Sequence, residues 1–397
     1  MLSGIRVLEL SAPETMLGGQ ILGDLGADVV VVEAPGGAAG RRIEPFLDDK
    51  PGLDRSLTWH ALNRNKRGIT LNLDTDDGRD IFRRLASQAD IVLQVASMSA
   101  PIEVPDTAIH CRLTPFAEGS PKFSYVASDL IYMAASGAPG GAGDPDRPPL
   151  FFPFQQSIVE AGAEAAVAAL AALAARDRHG VAQEAKLSVR VAALFSSMSR
   201  TLVGVSGDAI DKRGDAQVLF PSIYDCADGY MLVSITKTKT LIHLTRGIAR
   251  WLADDGHYPR ELAEIDWANV DALIASKAVP EQTLSDLIVV VERGCLSKTK
   301  AELVAISHKY GFMAAPVATM KDIHDSIQFI QRGFFADAPL PGDGRTVRYP
   351  LRFAQFSNHR IELRRPAPLL SEHSCEVLEA IGFSAPEIQA LFVHGVI

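Results

Sequence analysis

Cysteine is scarce in this chain of 397 residues. The four that occur, Cys111, Cys226, Cys295 and Cys375, stand far apart. None forms a CxxC pair or a His/Cys spacing, so neither a disulfide framework nor a metal centre is expected. Net positive charge is missing as well: 39 Lys and Arg against 48 Asp and Glu leave −9. That balance argues against nucleic acid as a partner, though local basic clusters leave room for a small polyanion. No charged-then-apolar leader opens the chain. The longest apolar run, Ala165 to Ala175, sits between Glu164 and Arg176 and falls short of the roughly 20 residues a bilayer span needs. The ten histidines show no partner spacing, and no Ser/His/Asp or Cys/His set can be assembled. These absences point to a cytoplasmic protein with reduced thiols, no membrane span and no metal.

What is present is an ordinary globular composition, 47% hydrophobic and 22% charged, in a chain too long for one core. Ile5 to Leu10 reads as a strand, MLGGQILGDLG as a helix, and Val29 to Val32 as a buried strand ending at Glu33. Strand, helix and buried strand make a βαβ unit and hence a parallel sheet. A strand near Asn63–Leu73, an amphipathic helix over 76–88 and a buried strand at Ile91-Val92-Leu93 extend it. Pro148 to Leu187 is the most organised stretch: an aromatic, proline-rich loop, then an Ala/Leu/Val helix closing at Gly180, then a strand-like LSVRVAALF. A helix this apolar is expected to be buried all round, with its N-terminus near Gln155 to Gly162 suited to an anion. The sequence SIYDCADGYMLVSIT predicts a hairpin around Asp228-Gly229. Helices follow over 241–308, with Trp251, Leu252, Leu262 and Leu287 as core.

Several residues invite a chemical role. Gly18, Gly19, Gly23 and Gly26 lie seven residues too late for a dinucleotide fingerprint, so helix–sheet packing is their better reading. Arg41-Arg42 and Arg64/Lys66/Arg67 stand in loops beside the βαβ unit. They are either solvated surface charge or phosphate anchors, and spacing does not choose between these. Glu160 is a first-turn glutamate of the long helix, a place the helix dipole favours without any catalytic duty.

Taken in order, LSGIRVLEL (Leu2–Leu10), LGADVVVVEAP (Leu25–Pro35) with Arg42, and NRNKRGITLNL (Asn63–Leu73) resemble segments of the family III CoA-transferases, the CaiB/BaiF family. So do Gly78-Arg79, Ala89 to Val92, Ala172-Leu173 to Gly180, GFMAAPV (Gly311–Val317) and PLLSEHSCEVL (Pro368–Leu378). The resemblance implies a large Rossmann-like α/β domain made from both chain ends (1–205 and 330–397). It also implies a smaller α+β domain over 216–325, linkers at 206–215 and 326–340, and two chains interlocked as a dimer. Members move CoA between an acyl-CoA and a carboxylic acid through an aspartate that attacks the thioester. Carried over, Arg42, Lys66, Arg67 and Leu71 would line the site for coenzyme A.

The family aspartate falls at Ser157 or Ile158, and neither is a carboxylate. The motif after the third buried strand stands as Gln94-Val95-Ala96, and the helix that should follow it is largely deleted. One branch of the family, of the benzylsuccinate CoA-transferase type, pairs an aspartate-bearing subunit with one that lacks it. The resemblance therefore implies an aspartate-less subunit with a paralogous partner, acting on an acyl-CoA such as succinyl-CoA and a carboxylic acid. The alternatives are a self-sufficient transferase or acyl-CoA racemase using another residue such as Glu160, and a non-enzymatic acyl-CoA-binding regulator.

Overall fold

The computed structural model describes residues 1–96, 102–143, 146–195 and 223–397. The expected linker at 206–215 lies outside the described residues. The chain divides into two compact units, Met1–Arg213 with Gln328–Ile397, and Gly214–Ile327.

The first unit is built on a six-stranded parallel sheet in the order β3-β2-β1-β4-β5-β6. Its strands are β1 (Arg6–Leu10), β2 (Asp28–Glu33), β3 (Lys66–Thr70), β4 (Ile91–Val95), β5 (Ile109–Thr114) and β6 (Glu184–Ser188). The order reverses between β1 and β4, with Val7 opposite Val29 on one side and Ile91 on the other. Both faces are covered, which is why the strands read as continuous apolar runs. Alternation does the sorting. Val7, Val29 and Ile91 pack on α1 (Pro13–Asp24) and α5 (Gln156–His179). Leu8, Val30 and Val92 face α3 (Asp76–Ala86) and the C-terminal helices Ser374–Ala380 and Ala385–Val393.

Helix α1 crosses α5 at two glycines. A Cβ on Gly18 would stand 2.8 Å from the Gly162 carbonyl oxygen, and one on Gly162 3.0 Å from the Leu17 Cβ. The early glycines are thus packing devices: Gly18 lets α1 meet α5, while Gly19 and Gly23 let it lie on Glu9, Val29 and Asn65 at the sheet, as expected. Gly180, at φ 72°, ends α5 in the left-handed cap that glycine supplies without strain.

Two expectations are corrected. Helix α5 is not buried all round: Ala161, Ala165, Ala169 and Ala172 are enclosed, but Val167 on the far side is 62% exposed. Alanine tolerates either environment, so an Ala-rich stretch hides which face is inside. LSVRVAALF is not one strand either. Strand β6 ends at Ser188 and helix α6 (Val189–Phe195) takes over, turning so that Val189 and Ala192 pack beneath α5. Among the described residues α5 is the one helix long and apolar enough to cross a membrane by length and composition.

The second unit holds β7 (Ile223–Cys226) and β8 (Gly229–Val233), an antiparallel hairpin around Ala227-Asp228, with β9 (Ala314–Pro316) added beside β8. Its core gathers Trp251, Leu252, Trp267 and Leu287, with Leu262 packed partly buried against them. The stretch 326–340, expected as a linker, contains the helix Ile327–Gln331 and the strand Phe335–Pro339.

Candidate functional site

The residues carried over as coenzyme A contacts land in different surroundings. Lys66 is fully enclosed, and its ammonium rests on Glu9 Oε2 (2.7 Å), the Met16 carbonyl (2.8 Å) and Asn63 Oδ1 (2.8 Å). An ammonium has three protons, and all three are used. Burial pulls the Lys66 pKa down and pushes that of Glu9 up, each opposed by the other's charge. Lys66 is therefore corrected from a ligand contact to part of the framework. Leu71 is 1% exposed in the core beside α3, so its side chain meets no ligand. Arg67 lies on Asp28, through Nε and Nη2, and on Glu376.

Arg41 and Arg42 separate sharply. Arg41 is buried, paired with both oxygens of Glu33 (2.6 and 2.8 Å) and with Asp54, and its guanidinium lies 3.9 Å from the Trp59 ring centroid. Arg42 is exposed and folds back on the carbonyls of Gly36, Gly37 and Ala38. It is the one expected contact with its charge turned to solvent and no carboxylate on it.

Where the sheet order reverses, a crevice of about 700 Å³ opens. It is bounded by Ser11 and Ala12 after β1, Leu73 and Asp74 after β3, and Gln94 to Ala96 at the end of β4. Open α/β sheets bind their ligands at this place, outside the carboxyl ends of the strands. Arg79, Arg83 and Arg112 also line it. Each is already paired: Arg79 with Asp76, Arg83 with Asp80, and Arg112 with Glu118 and Glu184. His110 Nε2 lies 2.9 Å from Gln94 Oε1, and burial holds its pKa below the usual histidine range. The size suits a nucleotide-bearing ligand and the arginines suit its phosphates, though their carboxylate partners offset much of that charge. Among the described residues no group of His, Cys, Asp and Glu is placed to hold a metal ion.

The start of α5 is a second centre. Ser157 is fully buried, and both its backbone N–H (2.9 Å) and its hydroxyl (2.6 Å) donate to Asp129 Oδ1. Asp129 begins α4 (Asp129–Ser136) and is 7% exposed. It caps α5 from another element, satisfying one of the helix's orphan donors. Ile158 is buried and Glu160 half-buried. Glu14, in the first turn of α1, lies one turn before Gly18, with its carbonyl near Gly162 of α5. Burial lifts its pKa, although the Tyr132 hydroxyl donates to it. Sequence reasoning missed Asp129 and Glu14. Nothing local marks Asp129, which stands 28 positions from its partner. Glu14 sits in a first helical turn, where glutamate is ordinary.

An α/β protein with a ligand crevice at a sheet reversal, beside the buried start of an apolar helix, is thereby defined. The model of CoA-transferase family III matches residues 2–374, and the chain belongs to that family. It is 28% identical to the succinyl-CoA:(R)-benzylsuccinate CoA-transferase subunit BbsE of Thauera aromatica, over 100% of this chain and 98% of that one. It is 27% identical to the formyl-CoA:oxalate CoA-transferase of Escherichia coli, over 98% of each chain. Among solved structures, a CAIB/BAIF family protein from Brucella suis superposes with a TM-score of 0.78 at 24% identity, over 96% of this chain and 99% of that one, a likeness of fold. Rv3272 from Mycobacterium tuberculosis superposes with a TM-score of 0.72 at 25% identity, over 94% and 98%.

Proposed function

We propose that this chain is the aspartate-less subunit of a heteromeric family III CoA-transferase. It moves CoA between an acyl-CoA such as succinyl-CoA and a carboxylic acid, with an aspartate-bearing paralogue supplying the nucleophile. The observation that carries this reading is the start of α5, where Ser157 is bound to Asp129 and Ile158 is apolar and buried. CoA exchange needs a carboxylate, because attack on a thioester then gives an anhydride reactive enough for the thiolate to return. A serine ester would be a dead end. The similarity to a protein named as a subunit supports the pairing. So do the exposed Leu130, Ile131 and Phe154 near the site, which offer an apolar surface for an interlocked partner.

In this reading the chain's own grip on CoA is weak, since Arg42 is turned onto its own loop and the crevice arginines are paired. The partner holds most of the nucleotide. The buried thiols of Cys111, Cys226 and Cys295 are consistent with a reducing, cytoplasmic setting. The test is co-expression with an aspartate-bearing family member. Co-purification, with CoA transfer only by the pair, is expected; enzyme-like transfer from succinyl-CoA by the isolated chain overturns the reading.

A second reading has one observation in its favour: Glu160 is half-buried in the second turn of α5, not the first turn expected from sequence, and stands near the place where the family aspartate is expected. Acyl-CoA exposure followed by hydroxylamine would then modify Glu160. An unmodified peptide in mass spectrometry disposes of it.

A further inference from the structure

Beyond the C-terminal ends of β5 and β6 lies a second cavity, of about 270 Å³. The loop after β5, helix α4 and the start of α6 border it, and it opens to solvent beside the exposed Pro121, Lys122, Arg190 and Val191. Its walls are apolar: Phe116, Pro121, Ala135 and Val191. Phe116 is held rigidly, 3% exposed and packed edge-on against Tyr125 with Tyr132 behind it. Arg190 ties these elements together, since its Nε donates to the Ala135 carbonyl (2.9 Å) and its backbone N–H to that of Pro115 (3.3 Å).

The polar groups at this cavity share one sign. Lys122 and Arg190 bring two positive charges, and no Asp or Glu is among the residues that line it. The nearby Glu118, on the same loop, is already neutralised by Arg112 and Lys186. The Ser120 hydroxyl is buried without a hydrogen-bond partner. A buried hydroxyl left unpaired costs about 1–3 kcal/mol, so an acceptor that enters the cavity recovers it. Apolar walls, two cations and one idle donor are complementary to a molecule with an apolar body and a single carboxylate.

Size and place narrow the choice. The volume lies below the range of about 300–1,000 Å³ typical of drug-sized ligands, so a CoA thioester does not fit and a small acid does. Ala135 lies six residues along α4 from Asp129, about 9 Å at 1.5 Å per residue, and Asp129 caps the start of α5. Arg112, which lines the crevice, pairs with Glu118 on the loop that borders this cavity.

We infer that this cavity is the binding site for the acid co-substrate, and that it selects a small aliphatic or aromatic monocarboxylate. The role as co-substrate rests on the transferase reading; the binding itself does not. The full chain is therefore titrated alone, without CoA or partner, with phenylacetate, hexanoate and the neutral phenylacetamide, by saturation-transfer NMR and calorimetry. Phenylacetate and hexanoate are expected to bind saturably, and phenylacetamide at least about tenfold more weakly. Lys122→Gln and Arg190→Gln together should weaken phenylacetate about tenfold or more, and Val191→Trp should abolish binding by filling the space. Unchanged thermal melting guards the Arg190 variant against a folding artefact, and Lys122→Gln alone changes an exposed side chain.

No saturable binding of either acid overturns the proposal. So does equal affinity for acid and amide, or full affinity in the doubly changed chain. Co-purification with an aspartate-bearing partner is read separately, so the heteromer can stand while this pocket falls, and the reverse.

Discussion

Two regions of the first unit with buried polar groups behave oppositely in space. Around β1 and β3, the two most deeply buried cations are held on acceptors, Lys66 on Glu9, Met16 and Asn63, and Arg41 on Glu33 and Asp54, while Arg64 Nε stays buried without one. At the start of α5, Asp129 engages Ser157 through one oxygen while its Oδ2 is buried with no partner. Exposed apolar side chains surround it. The first region is a closed ionic framework under the sheet; the second is an unfinished one. A basic cluster is a ligand anchor only if its protons are not already spent, and that is decided by partners remote in sequence.

The harshest way to test the closed region is Lys66→Met. Glu9 would remain fully buried with its cation gone, and breaking a buried pair in this way costs about 3–5 kcal/mol. Urea unfolding should show an unfolding free energy lowered by that amount, with Glu9→Met on top of it recovering a large part. A Lys66→Met chain that keeps its stability and loses CoA binding would return Lys66 to the ligand site.

This contrast shows where sequence reasoning reached and where it stopped. Parallel-sheet architecture was legible because Val29 to Val32 and Ile91 to Leu93 are apolar on both faces. The place of the family aspartate was an expectation from resemblance, anchored on Pro148-Pro149 and Gly180, which bracket the start of α5. The inward turn of Lys66 was not. It depends on Gly19, where a Cβ would lie 1.8 Å from Glu9 Oε2, so the glycine makes room for the pair. That packing becomes visible only once α1 is laid on the sheet. The half-exposed α5 was misread because alanine carries almost no record of its surroundings. The division between β6 and α6 was lost because Val189 to Phe195 is as apolar as a buried strand.

In the open region the larger effect belongs to Asp129→Ala. Ser157 would lose the acceptor for both its N–H and its hydroxyl, a lost helix cap of about 1–2 kcal/mol. Hydrogen exchange in the first turn of α5 should accelerate while that of β1 stays slow. Asp129→Asn, which keeps an acceptor oxygen, should fall between. Equal exchange in all three chains would mean that this end of α5 is fixed by the Gly18–Gly162 crossing alone.

Glu14 gives the region at the start of α5 a pH response of the same sign as that of Glu9 in the other. Burial raises its folded pKa above the unfolded value, so between the two the folded chain keeps a proton that the unfolded chain has released. The unfolded state then binds fewer protons, and stability falls as pH rises through that window. Glu14→Gln should remove this fall and leave the chain more stable at neutral pH. A profile that is unchanged in the variant would assign the acid-side dependence to the buried Glu9 instead.

The smallest effect on stability is expected at Arg42, and it is the most useful for function. Its guanidinium is exposed and touches only three carbonyls of its own loop, so Arg42→Ala should change the unfolding free energy by no more than about 0.5 kcal/mol. Swinging away from that loop would sacrifice little, which makes Arg42 the expected contact most able to turn toward a phosphate. Calorimetry of CoA with the chain alone and with the paired enzyme then reads its part. If the partner holds the nucleotide, Arg42→Ala leaves the affinity of the pair within a factor of about two. If the affinity falls by about tenfold or more, near 1.4 kcal/mol, this chain grips CoA itself and its crevice is a working half of the site.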